Sequence, residues 1–192
     1  MHIYKQRADV PQHEKWDLTH IYASQQEWEE DYKKVEKLGE QLKQFDGRIQ
    51  NGQQLLQFLE LQEELSKTFT KVFAYARLSN DLDTRASSTQ ILLSRSQTLS
   101  YQVNKATSFF TPFLLSLDES ILKAYIEENE GLAYFAEDLW ESFRYKNHVL
   151  SKEQEEILSA MGEALTAPSN TFTMLNNADI KFEPFANEQG EK

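Results

Sequence analysis

Apolar residues recur at alternating steps of three and four along two long stretches of this chain. In the first, Phe58, Leu61, Leu65, Phe69, Val72 and Ala76 keep that spacing. In the second, Leu92, Ser96, Leu99, Val103, Ala106, Phe110, Phe113 and Leu117 do the same. Such steps place each set on one face of a helix. Between them lies Asn80-Asp81-Leu82-Asp83-Thr84, whose short polar side chains compete for helix hydrogen bonds. The pattern predicts two long helices from Gln53 to Leu117, folded back on each other as a hairpin. Ser87-Ser88-Thr89-Gln90 has capping-box form: Ser87 would accept from the amide of Gln90, whose side chain reaches back. Each helix spans roughly 25–30 residues, about 40 Å at 1.5 Å per residue. Thr111-Pro112 lies inside the second, where proline removes a donor and clashes one turn back, so a kink or a fresh start is expected.

Shorter patterns flank the hairpin. Residues 1–23 read as a mostly irregular, extended arm interrupted by Pro11, with Trp16, Leu18, Ile21 and Tyr22 pinning it to the helices. Ser24-Gln25-Gln26-Glu27 is a second capping box, opening a helix with Trp28, Tyr32, Val35, Leu38 and Leu42 inward. Glu29 with Lys33, and Glu30 with Lys34, are expected as pairs on its wet side. Phe45-Asp46-Gly47 stops it, with Gly47 as a left-handed cap, and Asn51-Gly52 separates it from the hairpin. After Asp118 a short helix with Ile121, Leu122, Tyr125 and Ile126 inside ends at Asn129-Glu130-Gly131. Leu132, Phe135, Leu139, Trp140 and Phe143 form the next stripe, and Ser151 with Gln154 a third capping box. Pro168-Ser169 is expected to restart the chain into a last short helix through Phe172, Met174 and Leu175.

The fold expected is all-α, a helical bundle built on the long antiparallel hairpin. At the tail the period changes. Ile180, Phe182 and Phe185 alternate with Lys181 and Glu183, a strand signal, followed by turn chemistry at Asn187-Glu188-Gln189-Gly190. A strand with no returning strand leaves its backbone groups unpaired. The division expected is a helical domain over 1–177 and, over 178–192, the severed start of a following region.

Composition narrows the function. The 192 residues suffice for one sizeable core, and 12% aromatics argue for folding, while 6 Gly and 4 Pro leave few turns. The net charge of −11 disfavours nucleic acid and anionic membrane surfaces, both of which need Lys and Arg to neutralise phosphate. The absence of Cys excludes disulfides, thiolate zinc sites and a Cys nucleophile. No apolar run resembles a signal peptide or reaches the ~20 residues of a membrane span.

The candidate chemistry is sparse. The four histidines are His2, His13, His20 and His148, and no two lie four apart, so H-E-x-x-H is missing. On a helix His13, Asp17 and His20 would share a face and could hold a metal, but the extended reading of the arm leaves them as chance, solvated neighbours. Arg144, Tyr145 and His148 could touch a peptide, but His148 near a helix end is better explained by bonding its last carbonyls. No Glu-x-x-His pair, serine elbow or Gly-rich phosphate loop occurs. The residues themselves therefore assign no catalytic position and no metal ligand, and leave the substrate-binding residues unassigned.

Four strings, in order, carry a resemblance. They are Lys15-Trp16-Asp17-Leu18-Thr19-His20-Ile21-Tyr22 with Trp28-Glu29, Tyr75-Ala76-Arg77-Leu78-Ser79-Asn80-Asp81-Leu82-Asp83, Arg144-Tyr145-Lys146-Asn147-His148-Val149-Leu150-Ser151 with Glu155-Glu156, and Ala178-Asp179-Ile180-Lys181-Phe182. Together they resemble the amino-terminal region of the oligoendopeptidase F family, within the thimet-oligopeptidase-like superfamily. That resemblance implies a mostly helical, cytoplasmic zinc metallopeptidase acting on short peptides across a deep cleft. In the family, H-E-x-x-H and a later Glu hold the zinc, and the motif's Glu is the general base. None of these residues is in this chain, so no catalytic position carries over. What carries over is a role as one wall of the cleft, silent in isolation, whose partner is the catalytic half of its own chain.

Two alternatives follow from the residues. A free-standing helical module would bind a partner helix in a groove. An apolar face left uncovered would instead favour self-association.

Overall fold

The structure is a computed structural model describing residues 9–148, 152–176 and 180–181. It divides into two compact units, 1–148 and 149–192.

The first unit is organised by three helices, α1 (Gln25–Lys43), α2 (Gly52–Leu82) and α3 (Ser87–Thr107), each packed against the other two. The 31 residues of α2 reach about 46 Å at 1.5 Å per residue. It forms the expected antiparallel hairpin with α3. The faces read from the spacing are the faces that pack. Trp28, Tyr32, Val35, Leu38 and Leu42 of α1 are buried, as are Phe58, Leu65, Val72 and Ala76 of α2 and Leu92, Ser96, Leu99 and Ala106 of α3. Phe58 is the hub at one end: it stacks on Phe110 with centroids 4.4 Å apart and meets Phe45 and Phe109 edge-on. The indole nitrogen of buried Trp28 donates to the carbonyl of Val72 at 3.0 Å, tying α1 to the middle of α2.

The element ends show which local rules held. Ser24 accepts from the amide of Glu27 at 3.3 Å, while the Glu27 carboxylate accepts from Ala23. Gly47 has φ +67°, the left-handed stop expected after α1. Asn51 does more than separate: it accepts from the amide of Gln54, whose own side chain accepts from Gln50, a capping box that opens α2. Gly52 is required there, because a Cβ would lie 2.3 Å from the Asn129 side chain and 3.0 Å from the Tyr125 carbonyl.

The box expected at Ser87 does not form. The helix begins one residue earlier, with Ala86 as its cap, so Ser87 is already inside it. The Thr89 hydroxyl donates to the carbonyls of Asp83 and Ala86, and the Gln90 amide donates to that of Thr84. The pairs expected along α1 also give way. Glu29 bonds Arg95 of α3, and Lys34 bonds Glu64 of α2 at 2.7 Å. A guanidinium offers a fork that matches a carboxylate, which a flexible lysine one turn away does not.

Pro112 gives the fresh start. The chain breaks at Ser108-Phe109, and α4 (Phe110–Ser116) carries the proline in its first turn, where a missing amide donor costs little. Then follow α5 (Glu119–Glu128), a 3-10 helix (Glu130–Phe135) and α6 (Ala136–Arg144), burying Leu114, Leu122, Leu132 and Leu139. Ile121, expected inside, lies on the exposed side of α5, since Leu122 takes the inward direction.

In the second unit α7 (Lys152–Met174) continues through Pro168, correcting the expected restart. This stretch is exposed, so water can satisfy the carbonyl that proline frees. The cap at Ser151 lies outside the described residues. So does most of the tail strand; Ile180 and Lys181 have no regular structure, and the Ile180 amide donates to the Leu175 carbonyl at 2.8 Å. No strand occurs among the described residues.

Candidate functional site

The amino-terminal arm is built from short turns, not from an extended run. Gln12–Glu14 and Leu18–His20 form single 3-10 turns. Asp17 opens the second by accepting from the Thr19 amide at 2.9 Å and its hydroxyl at 2.6 Å. Those bonds hold the Asp17 carboxyl below its usual range. His20 lies 3.7 Å from Asp17, whereas the nearest carboxylate to His13 is Glu14, also at 3.7 Å. The three residues that a helix would have put on one face therefore share none. Among the described residues, no three His, Asp or Glu side chains converge as a cation site. The arrangement of His13, Asp17 and His20 does not fit zinc.

The turn packs Ile21 and Tyr22 against the core, leaves Leu18 half-buried and puts Trp16 outside at 64% exposure, correcting its expected role as an anchor. Tyr22 is the fixed point. Its hydroxyl donates to Asp31 at 2.7 Å, its ring meets Tyr75 edge-on at 5.4 Å, and the Lys71 ammonium sits 4.1 Å from the ring centre. Burial first, then the Asp31 carboxylate, raises the Tyr22 phenol well above its ordinary range, so it stays a donor. Two of the four resemblance strings meet at this contact.

Arg95 is the strongest polar feature of the unit and was invisible in the sequence. Its guanidinium forks onto both carboxylate oxygens of Glu29, with 2.8 Å for the Nη2 bond, while packing 4.9 Å over Trp28 and 4.5 Å over Tyr32. The hydrogen bond from Arg95 lowers the Glu29 carboxyl, and the same bond raises the guanidinium. Nothing about position 95 alone distinguishes it from a solvated helix arginine.

The third string ends the unit. Arg144 closes α6, and Tyr145–His148 adds a 3-10 turn. Lys146 donates to the Leu117 carbonyl at 3.3 Å and lies over the Phe143 ring, a structural use. Arg144 and Tyr145 are exposed. The side chain of His148 lies outside the described residues, as does all of the fourth string except Ile180 and Lys181.

Residues 114–182 match the family model described as Oligopeptidase F. Over 187 residues the chain is 30% identical to oligopeptidase PepF of Bacillus subtilis, covering 97% of this chain and 28% of that protein. It is 31% identical to group B oligopeptidase PepB of Streptococcus agalactiae, covering 97% of this chain and 31% of that one. The crystal structure of oligoendopeptidase-F from Enterococcus faecium superposes with a TM-score of 0.76 at 32% identity, covering 87% of this chain and 32% of that chain.

The chain is similar to the amino-terminal part of oligoendopeptidase F proteins over nearly its whole length. It spans under a third of the length of PepF and of PepB. A putative peptidase from Chlamydophila abortus, 24% identical with a TM-score of 0.66, shares the fold. The helical fold described above is thus shared with the Enterococcus faecium structure over 87% of this chain.

Proposed function

We propose that this chain is the amino-terminal helical domain of a zinc-dependent oligoendopeptidase that hydrolyses short peptides in the cytoplasm. In this reading residues 1–177 form one wall of the substrate cleft, residues 178–192 begin the following region, and the chain alone is not catalytic. The observation that carries it is the alignment of 97% of this chain with under a third of peptidases of this family. In this reading His13, Asp17 and His20 hold no zinc. The ion and its general base would come from the catalytic half, which is the domain's partner along with the peptide. No helix among the described residues is long and apolar enough to cross a membrane.

The test begins with the protein purified from its natural source. The expected result is a chain about three times the 22.4 kDa of this one, with one tightly bound zinc and chelator-sensitive cleavage of short peptides. The 192-residue chain alone is expected to cleave nothing and to bind no stoichiometric zinc. Zinc-dependent activity of the short chain, lost in His13→Ala or His20→Ala, overturns the reading. A natural protein of 22.4 kDa without activity overturns it in favour of a helical interaction module.

A further inference from the structure

The corner between α1 and α2 carries chemistry that the peptidase reading does not use. Asn51-Gly52 is the single Asn-Gly pair in the sequence. In such a pair the glycine amide nitrogen can attack the asparagine side-chain carbonyl, because no Cβ on the second residue hinders the approach. The Gly52 amide, at the first helical position, has no hydrogen-bond partner in the structure. Asn51 is exposed, so water reaches its side chain. Nucleophile, electrophile and solvent are all present.

The fold holds them out of reacting geometry. Asn51 Oδ1 accepts from the Gln54 amide at 2.9 Å, and the Asn51 backbone is extended, with φ −154° and ψ 168°. Ring closure has to turn the Asn51 Cα–C bond, which swings Gly52. Gly52 is buried and has no room to swing: a Cβ there would run into the Asn129 side chain and lie 3.0 Å from the Tyr125 carbonyl. The Tyr125 hydroxyl also donates to the Gln50 carbonyl at 2.8 Å, and the Asn129 side chain donates to the Tyr125 carbonyl at 3.2 Å. The last turn of α5 thus clamps residues 50–52. We propose that Asn51 is a latent deamidation site, kept unreacted by the docking of the α5 end on Gly52 and released when that contact opens.

The step is a condensation followed by hydrolysis. The Gly52 nitrogen bonds to Asn51 Cγ, the Cγ–Nδ2 bond breaks, and ammonia leaves with the Gly52 amide proton. Water then opens the ring at either carbonyl, giving aspartate or isoaspartate. The fold separates the two products. Aspartate keeps the oxygen that caps Gln54 and puts a negative charge at the start of α2, where the helix favours it. Isoaspartate routes the main chain through Cβ and Cγ, which lengthens it by about 1.5 Å and pushes Gly52 into the space held by Asn129 and Tyr125. The inference does not depend on the peptidase reading.

Ageing the 192-residue chain in mildly alkaline buffer made with heavy-oxygen water tests it. Mass spectrometry of the peptide holding Asn51 reads the oxygen taken up on ring opening. The folded chain should react there at least about tenfold more slowly than the same chain in urea. Asn129→Ala, shown to be folded by circular dichroism, should speed the reaction at least about threefold. Tyr125→Phe, which removes only the bond to Gln50, should speed it about twofold and decides the matter if Asn129→Ala does not fold. Val72→Ala, about 30 Å along α2 at 1.5 Å per residue, loosens the core elsewhere and should change the rate less than about 1.5-fold. Asn51→Asp should melt within about 4 °C of the parent, whereas the isolated isoaspartate form melts lower. Equal rates in the folded and denatured chain overturn the inference. So does a rate indifferent to loss of the α5 clamp, an equal acceleration by Val72→Ala, or an isoaspartate form as stable as the parent.

Discussion

The core face of α1 and the apolar stripe that starts on α7 are both written in large apolar side chains and end in opposite surroundings. Trp28, Tyr32, Val35, Leu38 and Leu42 are covered by α2 and α3, whereas Leu158, Met161, Leu165, Phe172 and Leu175 are open. The difference lies in what faces each stripe. Beside the first turns of α1 lie three polar fastenings, Trp28 to the Val72 carbonyl, Tyr22 to Asp31 and Arg95 to Glu29. Between Leu158 and Leu175 the α7 stretch carries a single charge, Glu163. Periodicity tells that a helix has an apolar face; the polar groups beside it tell whether the partner is part of the same unit.

The sharpest way to break that contrast is to truncate one residue on each side. Trp28→Ala should lower the urea unfolding free energy by about 3–5 kcal/mol, the range for large core side chains. Leu165→Ala, at an exposed site, should stay within about 0.5 kcal/mol. Equal effects would erase the distinction. Next comes Gly52→Ala, which drives a methyl group into Asn129 and Tyr125 and should cost about 1–3 kcal/mol.

A third variant separates fastening from burial. Arg95→Met keeps apolar contact with Trp28 and Tyr32 but removes the fork onto Glu29. The pair is about a third exposed, so the expected loss is only about 1–2 kcal/mol. Its pH signature is more specific. The folded Glu29 carboxyl is held below its ordinary value of 4.5, so its stabilisation is complete above that value and disappears as pH falls through the lowered one. In Arg95→Met that part of the acid-side loss should vanish from melting curves between neutral and acid pH.

The smallest effect has the opposite sign. The buried Ser96 hydroxyl has no hydrogen-bond partner in the structure. Ser96→Ala should therefore raise stability by about 0.5–1 kcal/mol, combining relief of that group with helix propensity. A loss on substitution would reveal a hidden partner.

Much of this fold is legible because its signals are local. Alternating threes and fours mark the hairpin, Gly47 the stop, Ser24 the start and Pro112 the restart. Legibility fails where distant or neighbouring groups outcompete the local rule. Arg95 takes Glu29 from Lys33, Glu64 takes Lys34 from Glu30, and Thr89 with Gln90 replaces Ser87 at the start of α3. Trp16 escapes prediction because size alone says nothing about which side of a turn a residue occupies. The candidate site is barely legible. His13 and His20 have metal-ligand chemistry without converging geometry, and the Tyr22–Tyr75 junction joins residues more than fifty positions apart. That contact exists only once the arm is folded back.

The burial of Trp28 has an experimental consequence. Its indole nitrogen is bonded inside the core, while Trp16 stands in solvent. With Trp16 and Trp140 replaced by phenylalanine, the remaining fluorophore would emit from an apolar, quencher-proof environment. Its red shift would then report, at a single locus, the moment when the first helix leaves the second.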